Sequence, residues 1–379
     1  MNWIHEHQNW PNFTWDNTAL SQKLIDIRHR QGRLLGRMEG LGFDLQKEAH
    51  LKTLTNDVVK SSAIEGENLN PEEVRSSIAQ RLGIEIAAIT PASRDVDGIV
   101  EIMLDATQHF SKPLTKERLF NWHAALFPTG RSGIKRITIA DWRNKAAGPM
   151  QVVSGPIGRE TIHFEAPDAD RLNDEMNRFF SWFEANNTTS KALDPALKAL
   201  DPMLKAGIAH FWFVTIHPFE DGNGRIARAI SDMALARSDG TSNRFYSVST
   251  QIEYERKHYY ECLEHQQRRS PDISAWLNWF LGCLSRAIDN AERSLGNVLF
   301  KAKLWNQINQ NPVNPRQTLI INCMLEDEFQ GHISTKRYAK IAKCSKDTAL
   351  RDIQELTSRG ILLQNPGGGR NTSYRLVDS

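Results

Sequence analysis

The sequence predicts a mainly helical protein with one β-hairpin and a small C-terminal domain. Apolar residues recur with helical spacing over most of the chain before residue 309, and this period is the main signal of amphipathic helices. Two short β-prone runs, 151–154 and 161–165, are separated by the turn-forming sequence Gly-Pro-Ile-Gly. The two prolines of NQNPVNPR, residues 309–316, interrupt the helical pattern and indicate a domain boundary.

The composition is that of an ordinary globular protein. The chain has 379 residues, of which 40% are hydrophobic and 24% are charged, and its formal net charge is +2. This charge gives no overall attraction to nucleic acid or membranes. The four cysteines are widely separated, which favours reduced core residues over disulfides or a CxxC metal site. Neither a signal peptide nor a membrane-length apolar stretch is present, so we expect a cytoplasmic protein without membrane contact.

Helical patterns define two predicted domains, residues 1–94 and 95–308. In the first, Trp3, Trp10 and Trp15 precede helices over about residues 17–82, and we expect these rings to clamp the N-terminal segment onto the helical body. Within the second domain, the polar run 186–191 is predicted to be a loop. In the second domain, helices are predicted at 95–109, 116–126, 168–185, 197–213, 224–237, 254–267 and 273–294.

A third domain is predicted over residues 316–379. Its short elements resemble a winged helix-turn-helix, in which Ser345 caps the recognition helix. The elements are three helices at 319–325, 335–342 and 346–359 and two strands at 361–364 and 373–377.

The charge of this third domain leaves its partner open. It carries ten Lys and Arg residues and seven Asp and Glu residues, a modest basic excess for a DNA reader. Lys346, Arg351 and Arg370 could contact the phosphates of DNA. The recognition helix also carries Asp347, Asp352 and Glu355. DNA binding and protein docking are therefore equal alternatives.

The most informative segment is HPFEDGNGRIAR, residues 217–228. Gly222 and Gly224 flank Asn223, so the backbone can bend there and direct successive N–H groups at an anion. The apolar period of a helix begins immediately afterwards. The segment therefore predicts an anion site at a helix N-terminus, where negative charge is favoured.

Four side chains of this segment suit the handling of a nucleotide's phosphates. Arg225 and Arg228 are spaced i, i+3, which places both guanidinium groups on one side of the first helical turn. Asp221 is a hard oxygen ligand for the Mg²⁺ that accompanies a nucleoside polyphosphate. His217 can accept a proton near neutral pH, since its unperturbed pKa is about 6.5. Structural alternatives are a satisfied core histidine and a surface ion pair of Arg228 with Asp232.

The segment resembles the active-site motif of the Fic family, HxFx(D/E)GNGRxxR, and matches it at every specified position. The resemblance implies the Fic fold, a helical bundle with a β-hairpin flap. It also implies Mg²⁺-dependent transfer of AMP from ATP to a Ser, Thr or Tyr hydroxyl of a protein target or of the chain itself.

The resemblance also implies a role for each motif residue. His217 would deprotonate the attacking hydroxyl, and Asp221 would hold Mg²⁺ against the α- and β-phosphates. Arg228 would reach the γ-phosphate, and Arg225 is expected to contribute to catalysis as well as to binding. The phosphates would be cradled by Gly222, Asn223, Gly224 and Arg225.

A second Fic-like pattern lies upstream, in SSAIEG at residues 61–66. It is similar to the inhibitory motif (S/T)xxxE(G/N), with Ser61, Glu65 and Gly66 at the defined places. The resemblance implies that Glu65 pairs with Arg228 and occupies the place of the γ-phosphate, so that ATP binds in a pose unsuited to attack. Read from its residues alone, the pattern is also compatible with a solvated glutamate near a helix C-terminus.

The hairpin and two tyrosines complete the expected site. The hairpin resembles the Fic flap, whose edge receives the target segment by strand addition, and we expect Thr161, Ile162 and His163 to line that edge. A hairpin that only covers the core is the alternative. Tyr259 and Tyr260 are candidates to flank the adenine, although aromatic residues at helical spacing usually belong to the core.

Two classes of function follow. One is a self-restrained protein adenylyltransferase, in which Glu65 could also position a water for removal of AMP. The other is a transcription regulator that uses the nucleotide-binding core as a sensor. His217 favours the enzyme, because a sensor needs phosphate ligands but no base. The sequence identifies neither the target nor the preferred nucleotide, and it leaves a homodimer open.

Overall fold

In the computed structural model, the described residues are 3–377 except 87, 156–158, 160, 186–199, 326–328, 330 and 367–371. The chain divides into two compact units, Met1–Glu292 and Arg293–Ser379. Helices dominate and the strands form small antiparallel pairs, so the predicted mainly helical class is confirmed. None of the helices in the described ranges combines the length and the apolar character needed to cross a membrane.

The N-terminal region consists of three helices whose ends follow local capping rules. At the start of the third helix, the Asn70 side chain accepts a hydrogen bond from the backbone N–H of Glu72. The Glu73 carboxylate instead accepts from the backbone N–H of Ser93, so it does not complete a reciprocal capping box with Asn70. The helices are α1 (Asn17–Glu39), α2 (Phe43–Ile64) and α3 (Pro71–Leu82).

Among the described residues, eight further α-helices begin in the first unit after α3. The last of them is longer than the sequence pattern indicates and crosses the boundary between the units. The helix expected at 254–267 begins at Arg256, and a short helix that the sequence pattern did not predict, Val248–Tyr254, precedes it. The helices are α4 (Arg94–Gln108), α5 (Lys116–Leu126), α6 (Leu172–Glu184), α7 (Pro202–Ile216), α8 (Asn223–Asp239), α9 (Val248–Tyr254), α10 (Arg256–Gln267) and α11 (Ser274–Gln310).

Helices α7 and α8 form the centre of this unit. Almost every side chain of both helices is buried, and the two helices pack against each other. A helix that is apolar on all sides requires neighbours on all sides, and α7 has them in α6, α8 and α11. The loop between α7 and α8, residues 217–222, is therefore mounted on the most deeply buried part of the fold.

Two hairpins lie between α5 and α6. The small one consists of β1 (Arg131–Ser132) and β2 (Lys135–Arg136). The larger one consists of β3 (Gln151–Ser154) and β4 (Thr161–Glu165), at the residues that the sequence predicts. Its register changes between Val152 and Val153, which marks a β-bulge. Most of the expected Gly-Pro-Ile-Gly turn, residues 156–158, lies outside the described residues.

Two of the three N-terminal tryptophans attach the first residues to the helical body. Trp3 and Trp10 are buried, whereas Trp15 is half-buried. The Trp10 indole donates a hydrogen bond of 2.8 Å to the Glu175 carboxylate on α6. The Trp3 ring meets Phe164 of β4 edge to face, at 5.4 Å between centroids.

The second unit has its own hydrophobic core. Its elements follow the predicted order, and an isolated bridge from Ile333 to Tyr374 extends the strand pair. Assignment to the winged-helix class stays a prediction, and Arg370 lies outside the described residues. The elements are α12 (Pro315–Leu325), α13 (Thr335–Ile341), α14 (Lys346–Ser358), β5 (Leu362–Gln364) and β6 (Tyr374–Leu376).

One acidic residue of the expected recognition helix does not face outward. Asp352 is 5% exposed, and its carboxylate accepts hydrogen bonds from the Arg316 guanidinium and the Tyr338 hydroxyl. This side chain holds α12, α13 and α14 together. Asp352 therefore adds no exposed negative charge to the outer face of this helix.

Gly98 marks the closest approach of α4 and α5. A Cβ atom at this position would lie 1.8 Å from the backbone oxygen of Ala125. We expect Gly98→Ala to lower the free energy of unfolding by about 1–3 kcal/mol, because the two helices must separate to admit the methyl group. Urea unfolding followed by circular dichroism measures the change.

Gly32→Ala on α1 is the matched control. A Cβ atom there meets no neighbour within 4 Å, and alanine favours a helix interior over glycine by up to about 1 kcal/mol. The control should be neutral or stabilising. Equal destabilisation by the two substitutions would contradict the close packing at Gly98.

Candidate functional site

His217 ends α7 in a left-handed conformation, with φ of +51°. Its Nδ1 lies 3.2 Å from the carbonyl oxygen of Val214. A carbonyl only accepts, so Nδ1 carries the proton of the neutral ring and Nε2 is left as the acceptor. Burial lowers the pKa of His217 to about 4, with a further contribution from the Arg143 cation. The ring is therefore neutral, and able to take a proton, at pH 7.

Arg143 fixes the backbone around this histidine. The guanidinium Nε donates to the carbonyl oxygen of His217 at 2.8 Å, and a second nitrogen donates to the carbonyl of Pro167. The backbone N–H of Arg143 donates to Pro218 at 2.9 Å. The bonds to His217 and Pro218 satisfy carbonyl groups that the end of α7 would otherwise leave unpaired. The sequence did not indicate this role, because Arg143 is 74 positions away in an irregular segment.

Asn223 closes the loop from the other side. Its Oδ1 accepts from the backbone N–H of Phe219 at 3.0 Å, and its Nδ2 donates to the carbonyl of the same residue at 2.9 Å. The Phe219 ring is fully buried and stacks on His123 at 4.2 Å between centroids. The Asn223 amide is therefore bonded to the loop, so the expected place of Asn223 in the phosphate cradle would be filled by its backbone N–H.

The N-terminus of α8 is suited to bind an anion, and the carboxylate of Glu65 occupies this place in the structure. Gly222, the residue before the helix, has φ of +81°, a conformation that favours glycine. At Gly224, an added Cβ atom would lie only 2.2 Å from Glu65 Oε1. An anionic group thus approaches the backbone at the positive end of the helix dipole. A side chain at position 224 would prevent that approach.

Arg228 is held by the end of α2. Its Nη2 donates to Glu65 Oε1 at 2.8 Å and to the carbonyl oxygen of Ser61 at 2.9 Å, while its Nε donates to the Ser61 hydroxyl at 2.8 Å. The guanidinium is 2% exposed. A surface ion pair with Asp232 is therefore ruled out, since Asp232 is itself buried and pairs with Arg244 at 2.8 Å.

The two tyrosines of α10 differ in exposure. Tyr259 is 2% exposed, and its hydroxyl lies 3.0 Å from His210 Nε2. The buried Tyr259 ring has no exposed face on which a nucleotide base could stack, so the expected contact of Tyr259 with adenine was wrong. Tyr260 is 39% exposed, and its hydroxyl donates to the carbonyl of Ile64 at 3.3 Å and lies 3.5 Å from Glu65 Oε2. Of the two tyrosines, Tyr260 is the one that remains a candidate to contact the adenine.

Asp221 projects from the loop with part of its carboxylate open. The Ser132 hydroxyl donates to Oδ2, and the backbone N–H of Gly222 donates to Oδ1 at 2.6 Å. Within the described ranges, no group of three His, Cys, Asp or Glu side chains is arranged to hold a metal ion. One carboxylate beside a phosphate site suits Mg²⁺, which binds through one or two carboxylates and the phosphates of its substrate.

Arg225 lies 5% exposed between Asp221 and α2. Its Nη2 is 3.8 Å from Asp221 Oδ1, and its guanidinium lies 5.2 Å from the centre of the Phe127 ring. Its shortest contact, 2.6 Å, is with the Glu67 carboxylate. Sequence reasoning did not single out Glu67.

The expected docking edge of β4 is partly occupied. Arg268 donates to the carbonyl oxygen of Ile162 at 2.8 Å and to that of His163 at 3.3 Å. His163 Nδ1 lies 2.7 Å from the Glu264 carboxylate on α10. The expectation that Thr161, Ile162 and His163 line the edge that receives a target strand was therefore wrong for Ile162 and His163, because Arg268, the residue that follows α10, occupies their carbonyl groups.

A cavity of about 440 Å³ lies beside the other strand of this hairpin. It reaches the loop of residues 217–222, since Glu220 of that loop belongs to its wall. The cavity wall combines apolar and polar side chains of this hairpin with charged side chains from β2 and from irregular segments. It includes Lys135, Arg143, Met150, Gln151, Val153, Ile162 and Glu220.

Two family models match parts of the chain. Residues 113–235 match the Fic/DOC family. The chain contains a Fic domain. Residues 3–84 match a domain of unknown function, DUF4172, so Glu65 and Glu67 lie in a segment outside the matched Fic range.

The chain is similar to proteins named for the transfer of two different nucleotides. The chain is 24% identical over 279 residues to protein adenylyltransferase Fic of Culex quinquefasciatus, covering 71% of this chain and 48% of that protein. It is 31% identical over 127 residues to uridine 5'-monophosphate transferase of Xanthomonas campestris pv. campestris, covering 33% of this chain and 21% of that protein. The chain thus spans less than half the length of these relatives.

A solved structure shares the fold. The crystal structure of a Fic family protein from Desulfovibrio desulfuricans matches with a TM-score of 0.51 and 18% sequence identity, covering 94% of this chain and 96% of that chain. This likeness confirms the expected Fic fold.

In the Fic domain, the pKa of His217 provides a direct test of the loop geometry. A pKa lowered to about 4 means that the neutral ring persists as the pH falls, so His217 should show no titration between pH 7.5 and 5.5. Heteronuclear NMR of the imidazole signals measures this, and His217→Ala identifies the resonance. A midpoint near 6.5 would contradict the buried, Arg143-flanked position.

Proposed function

We propose that this chain is a protein adenylyltransferase that transfers AMP from ATP to the hydroxyl group of a Ser, Thr or Tyr side chain on a protein target or on itself. The observation that supports it most is the position of a neutral His217, with Nε2 as acceptor, beside an anion-binding helix N-terminus and two buried arginines. The names of the related Fic proteins support the same reaction.

The transfer requires one proton acceptor and several anion ligands. Nε2 of His217 takes the proton of the attacking hydroxyl, whose oxygen forms a bond to the α-phosphorus of ATP. The bond from that phosphorus to the bridging oxygen breaks, and pyrophosphate leaves. The α8 N-terminus, Arg225 and Arg228 bind the phosphates and offset the charge that develops on them.

Asp221 is the residue that would hold Mg²⁺. When bound, the ion neutralises phosphate charge and polarises the phosphoryl group. Ser132 and the backbone N–H of Gly222 orient the carboxylate for that role. Asp221 contributes one carboxylate ligand to the ion. The other coordination positions of Mg²⁺ suit phosphate oxygens and water.

Glu65 would restrain the enzyme. Its carboxylate lies at the α8 N-terminus on Arg228, where a terminal phosphate would otherwise bind. The Ser61 hydroxyl accepts a second hydrogen bond from Arg228, and Gly66 forms the turn that ends α2. The same carboxylate could orient a water for removal of AMP, so reversal of the transfer stays within this proposal.

The target would approach from the side of β3. This strand carries the exposed side chains of Val152 and Val153 and borders the cavity next to Glu220. An extended target segment beside β3 places an acceptor hydroxyl near the 217–222 loop, and strand addition supplies its backbone hydrogen bonds.

We further propose that residues 1–94 hold the inhibitory region, 95–308 the catalytic core and 316–379 a separate binding module. DNA and a protein remain alternative partners for that module. A sensor that binds nucleotide without transfer is the competing function of the whole chain, and the test below separates the two.

The test compares two histidines in the released enzyme. In a Glu65→Gly background, His217→Ala should reduce acid-stable incorporation of label from α-³²P-ATP by about 10²- to 10⁴-fold, because the hydroxyl loses its base. ATP affinity, measured by calorimetry, should stay within about twofold, since the base does not contact phosphate.

His265→Ala is the control, because His265 is exposed on α10. It should leave incorporation unchanged. Full incorporation by the His217→Ala variant would refute the assignment of the base. ATP binding without incorporation in any variant would favour the sensor.

A further inference from the structure

The turn after α2 presents two carboxylates to the Fic motif. Glu65 Oε1 lies 2.8 Å from Arg228 Nη2, and Glu67 Oε2 lies 2.6 Å from Arg225 Nη1. Each arginine of the motif therefore has its own acidic partner, and both partners come from the same turn.

The backbone fixes the position of Glu67 as firmly as that of Glu65. The N–H of Glu67 donates to the carbonyl of Ser62 at 3.0 Å, and the N–H of Gly66 donates to Ala63 at 3.0 Å. Gly66 has φ of +86°. These bonds form a Schellman motif, in which the residue at the position of Glu67 is frequently apolar and packs back on its own helix. Here that residue is charged and contacts α8 instead.

Arg225 depends on this contact. Its side chain is 5% exposed, whereas that of Glu67 is 49% exposed. Its Nε is buried and has no hydrogen-bond partner in the described part of the chain. A buried cation requires an anion nearby, and Asp221 is farther away, at 3.8 Å.

The contact lies at the wall of a cavity of about 370 Å³. Besides Arg225 and Glu67, the wall includes Arg131, Asp95 and the hydroxyl-bearing residues Ser62, Thr129 and Ser132. Ser132 is also bonded to Asp221. Cationic and hydroxyl groups of this kind are suited to phosphate oxygens, and a carboxylate placed among them competes with a phosphate.

We propose that Glu67 is a second restraining carboxylate, which occupies an anion subsite on Arg225 and must leave it before a phosphate of the nucleotide binds there. The inference rests on the proposed function, because it assigns Arg225 to the phosphates of ATP. Glu65 restrains Arg228 and Glu67 restrains Arg225. Loss of Glu65 alone therefore leaves the enzyme partly restrained.

The test uses Glu67→Gln in the full chain, alone and combined with Glu65→Gly. Glutamine keeps the size of the side chain and removes its charge. We expect the affinity for ATP and for inorganic pyrophosphate, both measured by calorimetry, to rise by about threefold to tenfold in each background, since a half-exposed carboxylate is a modest competitor. The initial rate of AMP incorporation should rise in parallel.

Two controls distinguish competition from a change in folding. Glu72→Gln removes an exposed carboxylate of α3 that lies outside the site, and it should change neither affinity nor rate. The gain in affinity for ATP and pyrophosphate that Glu67→Gln produces should become smaller as the salt concentration is raised, because salt screens a carboxylate that is half-exposed. A purely structural effect would not follow ionic strength in this way.

The outcomes separate this inference from the proposed function. Unchanged ATP and pyrophosphate affinity in both Glu67→Gln proteins would overturn the second restraint, whatever the rate of transfer. Higher affinity with no AMP incorporation in any variant would support the subsite and contradict the transferase. Higher affinity together with faster incorporation would support both.

Discussion

The ion pair between Glu65 and Arg228 is the interaction on which the arrangement of the site depends. Arg228 is 2% exposed, and leaving a buried guanidinium without its anion costs on the order of 3 kcal/mol. The pair joins the end of α2 to the first turn of α8, although the two helices are distant in sequence. It also brings the Glu65 carboxylate against Gly224, at the place where the helix dipole favours an anion. The same contact therefore stabilises the fold and, under the proposed function, withholds the phosphate site.

The loop of residues 217–222 is held by groups that take no part in the proposed chemistry. Arg143 bonds its carbonyls, the Asn223 amide bridges its backbone, and Phe219 anchors it in the core. His217 and Asp221 consequently project from a backbone that is fixed in advance. Preorganisation of this kind matters for phosphoryl chemistry, where positioning and charge supply most of the catalysis.

Much of the site could be predicted because its signals are local. The motif from His217 to Arg228, the turn at Gly66 and the β3–β4 hairpin each depend on residues close together in sequence. The roles of Arg143 and Ser132 could not be predicted in this way, since tertiary packing brings them to the loop. Tyr259 and the edge of β4 were misassigned for a related reason: residue type indicates what a side chain can do, whereas its neighbours decide whether it is accessible. For Glu67, a charge two positions beyond Glu65 was the available signal.

The central claim is that Glu65 acts through Arg228, and a double-mutant cycle tests it most directly. Initial rates of AMP incorporation would be measured for the wild type, Glu65→Gly, Arg228→Ala and the combined variant. The account predicts that Glu65→Gly raises the rate by about tenfold or more when Arg228 is present, a change of about 1.4 kcal/mol in barrier, and has no effect when it is absent. An equal gain in both backgrounds would contradict the account.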